Sequence, residues 1–342
     1  MTFVKAEREL GHDSRLVTLT SHPYGYEEDI CLNLPFSDMS KFFRIKRILT
    51  PAQRLLVENV HRVPDKIPRE WQPGGGAETL LIRFRERLWR GKIRRFQKQT
   101  DFWNFDVIQL DGGLEFYRDG RTVRKLKELG KKIICCYTGS DLRVRGVIPA
   151  IDASADLNVT VEFDHIYFHP HIQHVFFPFL PENFTLRSET HPDKIRIGHA
   201  PSNRRAKGTD RILTALENLK RKFPVEIVLI EGLSHREALN RKRSCALFVD
   251  QIGDLGYGIN ALEALAMGIP TATSLVKGFA AVCPDHPFID VTDQKIEEKL
   301  LPFLEDPDLR RRKGIEGRRW LEKYHDARNV VRKIHQLAGI RS

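Results

Sequence analysis

Three cations crowd one short stretch of this 342-residue chain: Arg204, Arg205 and Lys207 in SNRRAKGTD, immediately after the apolar run at 195–199. The run reads as a strand, and a helix is expected to start near Thr209 or Asp210. Helix N-terminal N–H groups and cationic side chains converge at such a turn and favour an anion, a phosphate above all. Some fifty residues on, DLGYGINALEALAMGIPTAT sets Gly256 and Gly258 ahead of a second helix that carries Glu263. Glycines there let backbone approach a ligand where a Cβ would clash. One half of the chain thus gathers two anion-facing elements and a carboxylate.

The elements that must position these groups alternate between strand and helix. Expected are strand 195–199, helix 209–221, strand 225–231, helix 235–243, strand 246–250, helix 259–267 and strand 270–273, a doubly wound parallel sheet. Ligands of such sheets bind outside the carboxyl ends of the strands, where Lys207, Glu231, Asp250 and Gly256 to Gly258 emerge. Earlier in the chain, 3–10 reads as a helix, 14–20 as a strand, 106–113 and 131–137 as strands with a basic helix between them, and 166–168 as a further short strand. Helix 78–98 places Leu81, Phe84, Leu88, Trp89, Ile93 and Phe96 near one face, with basic residues around the rest. The usual first strand of a Rossmann-like half is not apparent before residue 3, and residues 22–76 resist assignment. A domain boundary is expected between residues 177 and 193, where periodicity fades and prolines gather.

Length and composition fit two globular domains, with 41% hydrophobic and 30% charged residues and no apolar run of membrane-spanning length. Five cysteines without a CxxC pair give no sign of a disulfide framework or a zinc site, and a reducing cytoplasm fits. The formal charge of +11 is shared almost evenly between residues 1–180 and the rest, with local concentrations at 41–47, 83–98, 121–132 and 310–319. Such a protein is drawn to anionic partners, and charge alone does not choose among nucleotide-sugars, lipid headgroups and nucleic acid. His165, His169, His171 and His174 match no helical metal-ligand spacing, so packing is the expected role and no metal site is assigned.

The strings KGTD, GYG and LEALAMGIP resemble the C-terminal domain of GT-B glycosyltransferases, specifically the large retaining group called family 4. The resemblance implies two Rossmann-like domains facing across a cleft: an acceptor domain at 1–180, a nucleotide-sugar donor domain at 181–325, and a last helix at 326–342 crossing back to the first domain. It implies that Lys207 contacts the donor diphosphate, that Gly256 and Gly258 approach the phosphates and sugar, and that Glu263 binds the nucleotide ribose. Asn203, Glu231, Asp250 and Tyr257 join them as donor-side residues. Arg204 is set beside Lys207 as a catalytic cation, because the family's usual arginine is Ser202 here. The first glutamate of the family's E-x7-E is Leu255, with Asp254 close by. TGSDLR at 138–143 is similar to the family's HGSD-R loop, with Thr138 in place of the histidine; Gly139, Ser140 and Arg143 are then acceptor-side residues, and Asp141 a catalytic one.

The implied activity is transfer of a sugar from a nucleotide-diphosphate-sugar to a carbohydrate or lipid-linked hydroxyl, retaining and without a metal or other cofactor. Peripheral contact with the inner face of a membrane is a further expectation from helix 78–98. Two alternatives stand beside it: an enzyme acting on modified bases of DNA, and a catalytically degenerate nucleotide-sugar-binding or scaffold protein.

Overall fold

The computed structural model describes residues 1–22, 25–37, 67–187, 193–253 and 255–340. Asp254, the basic stretch at 41–47 and part of the expected boundary lie outside them. The chain divides into two compact units, one formed by residues 1–177 together with 330–342 and the other by 178–329.

In the first unit, helix α1 (Thr2–Glu9) precedes two short parallel strands, β1 (Val17–Thr18) and β2 (Ile30–Cys31), paired with each other. Helix α2 (Gly76–Gln99) leads to β3 (Val107–Asp111), α3 (Arg121–Glu128), β4 (Lys132–Tyr137), α4 (Pro149–Asp152), β5 (Leu157–Thr160) and β6 (Ile172–His174). Strands β3 to β6 form one parallel sheet in sequence order. Side chains of a strand alternate between faces, and in KIICCY the two sets have different partners. Ile133, Cys135 and Tyr137 join the core made with α3 and the loop beyond Leu142, while Ile134 and Cys136 pack against Val330 and Ile334 of α12 (Ala327–Leu337) and Ala338 just after it. Burial raises both thiols, Cys135 to about 12, as befits inert structural cysteines.

The second unit has a five-stranded parallel sheet in the order β11-β10-β9-β7-β8. Its elements are β7 (Ile195–His199), the single turn α5 (Arg204–Lys207), α6 (Thr209–Lys220), β8 (Val225–Leu229), α7 (His235–Arg243), β9 (Leu247–Val249), α8 (Ile259–Ala266), β10 (Thr271–Thr273), α9 (Phe279–Val282), β11 (Ile289–Asp290), α10 (Ile296–Glu305) and α11 (Pro307–Tyr324). Order reverses at β7, so α6 and α7 follow neighbouring strands and the carboxyl ends of β7 and β9 open beside each other. The core joins Ile212, Leu216 and Leu219 of α6 to Ile197, Leu247 and Val249 of the strands and to Leu300 of α10.

Two expectations are corrected. Residues 166–168 are not a strand: Phe163–Tyr167 form a 3-10 turn, and the strands nearby are β5 and β6. Three consecutive apolar residues carry no period, and here Phe168 is buried from a turn. Helix α2 does not gather its apolar residues on one face. Trp89, Ile93 and Phe96 are buried, whereas Leu81, Phe84 and Leu88 are exposed with Leu80. At about 100° per residue, the two sets centre on directions about 130° apart around the helix.

Candidate functional site

The turn after β7 is built by side chains that satisfy its own backbone. Asn203 caps α5, its Oδ1 accepting the Ala206 N–H at 3.0 Å. Gly208 then reverses the chain at φ +70, and a Cβ there would stand 2.4 Å from Ile252, so this position needs glycine on two counts. Below the turn, buried His199 bridges the Val249 carbonyl (Nδ1, 2.8 Å) and the Thr209 hydroxyl (Nε2, 2.9 Å). A carbonyl only accepts, so Nδ1 donates and Nε2 accepts from Thr209. Burial holds this imidazole below its usual range.

This turn presents Lys207 to Asp250 at the end of β9. Nζ donates to Oδ1 at 2.7 Å, and the other carboxylate oxygen, Oδ2, accepts the Gly258 N–H at 2.8 Å. Asp250 is fully buried and Lys207 partly so. A Cβ on Gly258 would sit 3.3 Å from Nζ. Gly256, at φ +73, would bring a Cβ to 2.9 Å from Val276. The glycines thus admit close contact between this loop, Lys207 and Asp250.

One turn into α8 lies Glu263, buried, with two side chains on its carboxylate. Lys242 Nζ donates to Oε2 at 2.5 Å and to Asn260 Oδ1 at 2.8 Å; His235 Nε2 meets Oε1 at 2.8 Å. Lys242 is 1% exposed. Burial lowers its ammonium, and the Glu263 charge opposes that. Sequence reading missed Lys242 because it stands in RKRS, a run that looks solvated. Asn260 Nδ2 also donates to the Ala200 carbonyl at 2.9 Å, tying α8 to the end of β7. Arg204, in turn, is paired with Glu231 through a two-pronged contact (2.9 and 2.6 Å) on the surface. Cation and carboxylate are therefore matched pairwise at this edge, and Lys207 retains two of its three N–H donors.

Tyr257 turns away from this group. Its ring stacks on Phe288 at 4.6 Å and its hydroxyl lies 3.3 Å from buried His325. An apolar, hydrogen-bonded seat of this kind anchors the GYG loop.

In the first unit, TGSDLR follows β4 and winds into a π-type turn at Asp141–Arg145. Asp141 Oδ2 accepts the Thr138 N–H at 3.0 Å, closing the loop on itself. Arg143 is 6% exposed. Asp164 grips its guanidinium at 2.6 and 2.5 Å, Glu162 adds a bond at 3.0 Å, and Nη1 donates to the Gly139 carbonyl. This bidentate pair fixes the loop that holds Gly139 and exposed Ser140. His165 joins it, between Thr160 Oγ1 (2.8 Å) and Gly139 O (3.1 Å), with burial pressing its imidazole down to about 4. His169 meets Asp152 at 3.0 Å, and His174 packs edge-on to Phe163 and Phe176. Among the described residues no three His, Cys, Asp or Glu side chains converge on a metal position, and no helix is long and apolar enough to cross a membrane.

No protein-family model matches this chain, and no curated protein matches its sequence. Solved structures do. Sucrose-phosphate synthase from Thermosynechococcus elongatus superposes with a TM-score of 0.53 at 13% identity, covering 75% of this chain and 78% of that one. Anabaena HepE, solved in complex with UDP, superposes with a TM-score of 0.50 at 11% identity, covering 78% and 90%. At such identity the likeness speaks for architecture, and it matches the parallel sheets and switch point described above: the chain has the fold of the GT-B glycosyltransferases.

Proposed function

We propose that this protein is a glycosyltransferase of the retaining family 4 type, moving a sugar from a nucleoside-diphosphate-sugar to an acceptor hydroxyl without a metal or other cofactor. The observation that carries the reading is the group formed by Lys207, Asp250 and the Gly258 N–H at the carboxyl edge of the second sheet, one helical turn from Glu263. Asp250 holds the Lys207 ammonium still, and its two remaining N–H donors take the diphosphate. Glu263, held by Lys242, accepts the ribose hydroxyls. In the transfer, the bond from anomeric carbon to diphosphate oxygen breaks, the acceptor oxygen bonds to that carbon, and the hydroxyl proton leaves with the diphosphate or to solvent. Charge growing on the leaving diphosphate is stabilised by Lys207 and Arg204, the latter released from Glu231. Retention rests on the resemblance, with Thr138 standing where the family has histidine.

A panel of nucleoside diphosphates, with and without magnesium, tests the reading by thermal shift. One base is expected to stabilise the protein regardless of metal, and the Lys207→Met/Asp250→Asn variant, which removes both charges together, is expected to lose that shift. A variant that retains it would sink the assignment.

The outer stripe of α2 favours a membrane-facing acceptor and a place on the cytoplasmic face. Leu80, Leu81, Phe84 and Leu88 are 66, 46, 60 and 44% exposed, and exposed Arg83, Arg87, Arg90 and Arg94 flank them. The acidic residue within this span, Glu86, is buried and accepts the Arg118 N–H. An apolar ridge beside a cationic flank suits an anionic bilayer surface.

A further inference from the structure

A second cationic centre lies in the first unit, built by parts of the sequence that the donor-side reading does not use. After β3, Gly112 and Gly113 turn the chain at φ +65 and +62, and the following loop brings Arg118 over the ring of Trp71, 5.5 Å from its centroid. Trp71 is held there because its N–H donates to the Val147 carbonyl at 2.7 Å. That contact places it just beyond Arg145, the last residue of the turn after β4. Arg145 points back to the same corner, donating to the Gly112 carbonyl and lying 3.7 Å from Asp141. Arg85, buried on α2 and stacked over Trp89 at 4.4 Å, stands behind them.

A buried guanidinium N–H without an acceptor is costly, and a bound anion would satisfy it. Arg118 Nη1 is buried and has no hydrogen-bond acceptor among the described residues. Of the nearby carboxylates, Glu86 accepts the Arg118 backbone N–H at 2.7 Å, Glu78 accepts the Gly74 N–H at 2.7 Å, and Asp141 lies 3.7 Å from Arg145. Burial, and then the charges of Arg85 and Arg145, press the Arg118 guanidinium down to about 10. The corner lies at the carboxyl ends of β3 and β4, where parallel sheets bind their ligands.

We propose that Arg118 and Arg145, backed by Arg85, form an oxyanion site, and that the acceptor carries a phosphate or a carboxylate that this site reads. The term acceptor rests on the glycosyl-transfer reading; the oxyanion site does not. Guanidinium forks match both groups in a two-pronged geometry. The donor diphosphate has its own cations on the second unit, so the two sites are separable by mutation.

The experiment is thermal shift with glucose 6-phosphate, glucuronate and glucose, on the full chain, in the Lys207→Met/Asp250→Asn background and with Arg118→Met added. Expected is a shift with one or both anionic sugars, none with glucose, and loss of that shift on Arg118→Met; the two anionic sugars tell phosphate from carboxylate. Arg118→Met in the absence of ligand is expected to melt higher, because it removes a cation held among cations. A stacking role on Trp71 predicts the reverse, so a lower melting point overturns the proposal. Equal shifts with and without Arg118, or no shift with either anion, overturn it as well. No response of the unsubstituted chain to any nucleoside diphosphate, with its anionic-sugar response intact, would remove the glycosyl-transfer reading and leave the oxyanion site.

Discussion

Asp250 and Lys207, 43 positions apart, meet at 2.7 Å with the carboxylate fully buried. The lysine that the donor reading aims at a diphosphate is thus already held by an internal anion, which also occupies the Gly258 N–H.

Asp250→Asn is expected to tighten binding of the preferred nucleoside diphosphate by roughly thirtyfold, because a negative charge some 7 Å from the phosphates is worth about 2 kcal/mol at an effective dielectric near 20. The same change lowers the melting point, since Lys207 loses its partner. Titration calorimetry and a melting curve on one preparation check both. If affinity falls along with stability, the carboxylate serves to aim Lys207 and its charge does not matter.

Glu263 and Lys242 form the more deeply buried pair, so breaking it from either side leaves an uncompensated charge. Lys242→Met alone is expected to cost about 3–5 kcal/mol. Combined with Glu263→Gln, much of that loss is recovered, and a denaturation cycle over the four proteins measures the coupling. Additive losses would show that the two do not act as a pair. Nucleoside diphosphate affinity should fall in every variant that lacks Glu263.

Glu115 sets a pH dependence for the first unit. Burial lifts its carboxyl from 4.5 to about 7 against the pull of the Thr122 N–H, which it accepts at 3.0 Å. The folded protein binds this proton more tightly than the unfolded chain does. Its stabilising contribution is full below about pH 4.5 and is lost as pH rises through 7. Glu115→Gln is expected to raise the melting point at pH 8 by a few degrees and to leave it unchanged at pH 4.5. An equal change at both pH values would mean the carboxyl is not the titrating group.

For the outer stripe of α2, Leu81→Asp/Phe84→Asp is expected to abolish co-sedimentation with phosphatidylserine-containing vesicles while leaving the melting point within a degree or so of the parent, since both residues are exposed. Arg83→Glu/Arg87→Glu/Arg94→Glu should do the same and remove the salt dependence. Binding unaffected by either set, or protein that never sediments, would discard the membrane reading.

Much of the architecture was legible because it depends on local signals. Apolar runs marked β3 and β4 of the first sheet and β7 to β10 of the second but not the short β5, β6 and β11, and the KGTD and GYG strings located the turns where Lys207 and Gly258 stand. What stayed hidden was pairing. Asp250 reads as one more polar residue at a strand end until β9 is laid beside β7. Lys242 sits between two arginines, and only the packing of α7 on α8 reveals that it is the buried one of the three. In α2, composition gave an amphipathic helix but not two apolar faces, because Trp89 and Leu88 are adjacent in sequence and lie about 100° apart in space.

The helix Ala327–Leu337 supplies Val330 and Ile334 to cover Ile134, Cys136, Leu157 and Val159 of the first sheet. Residues 178–329 are, in topological terms, an insertion within the first unit. A ribosome therefore delivers the entire second unit before it delivers the residues that seal the first. Until then one side of β4 and β5 lacks the apolar cover of this helix, which gives chaperones a defined target on the nascent chain. Trimming residues 330–342 is accordingly an injury to the sheet made two hundred residues earlier, and the damage should appear as exposed Cys136 reacting with a thiol reagent.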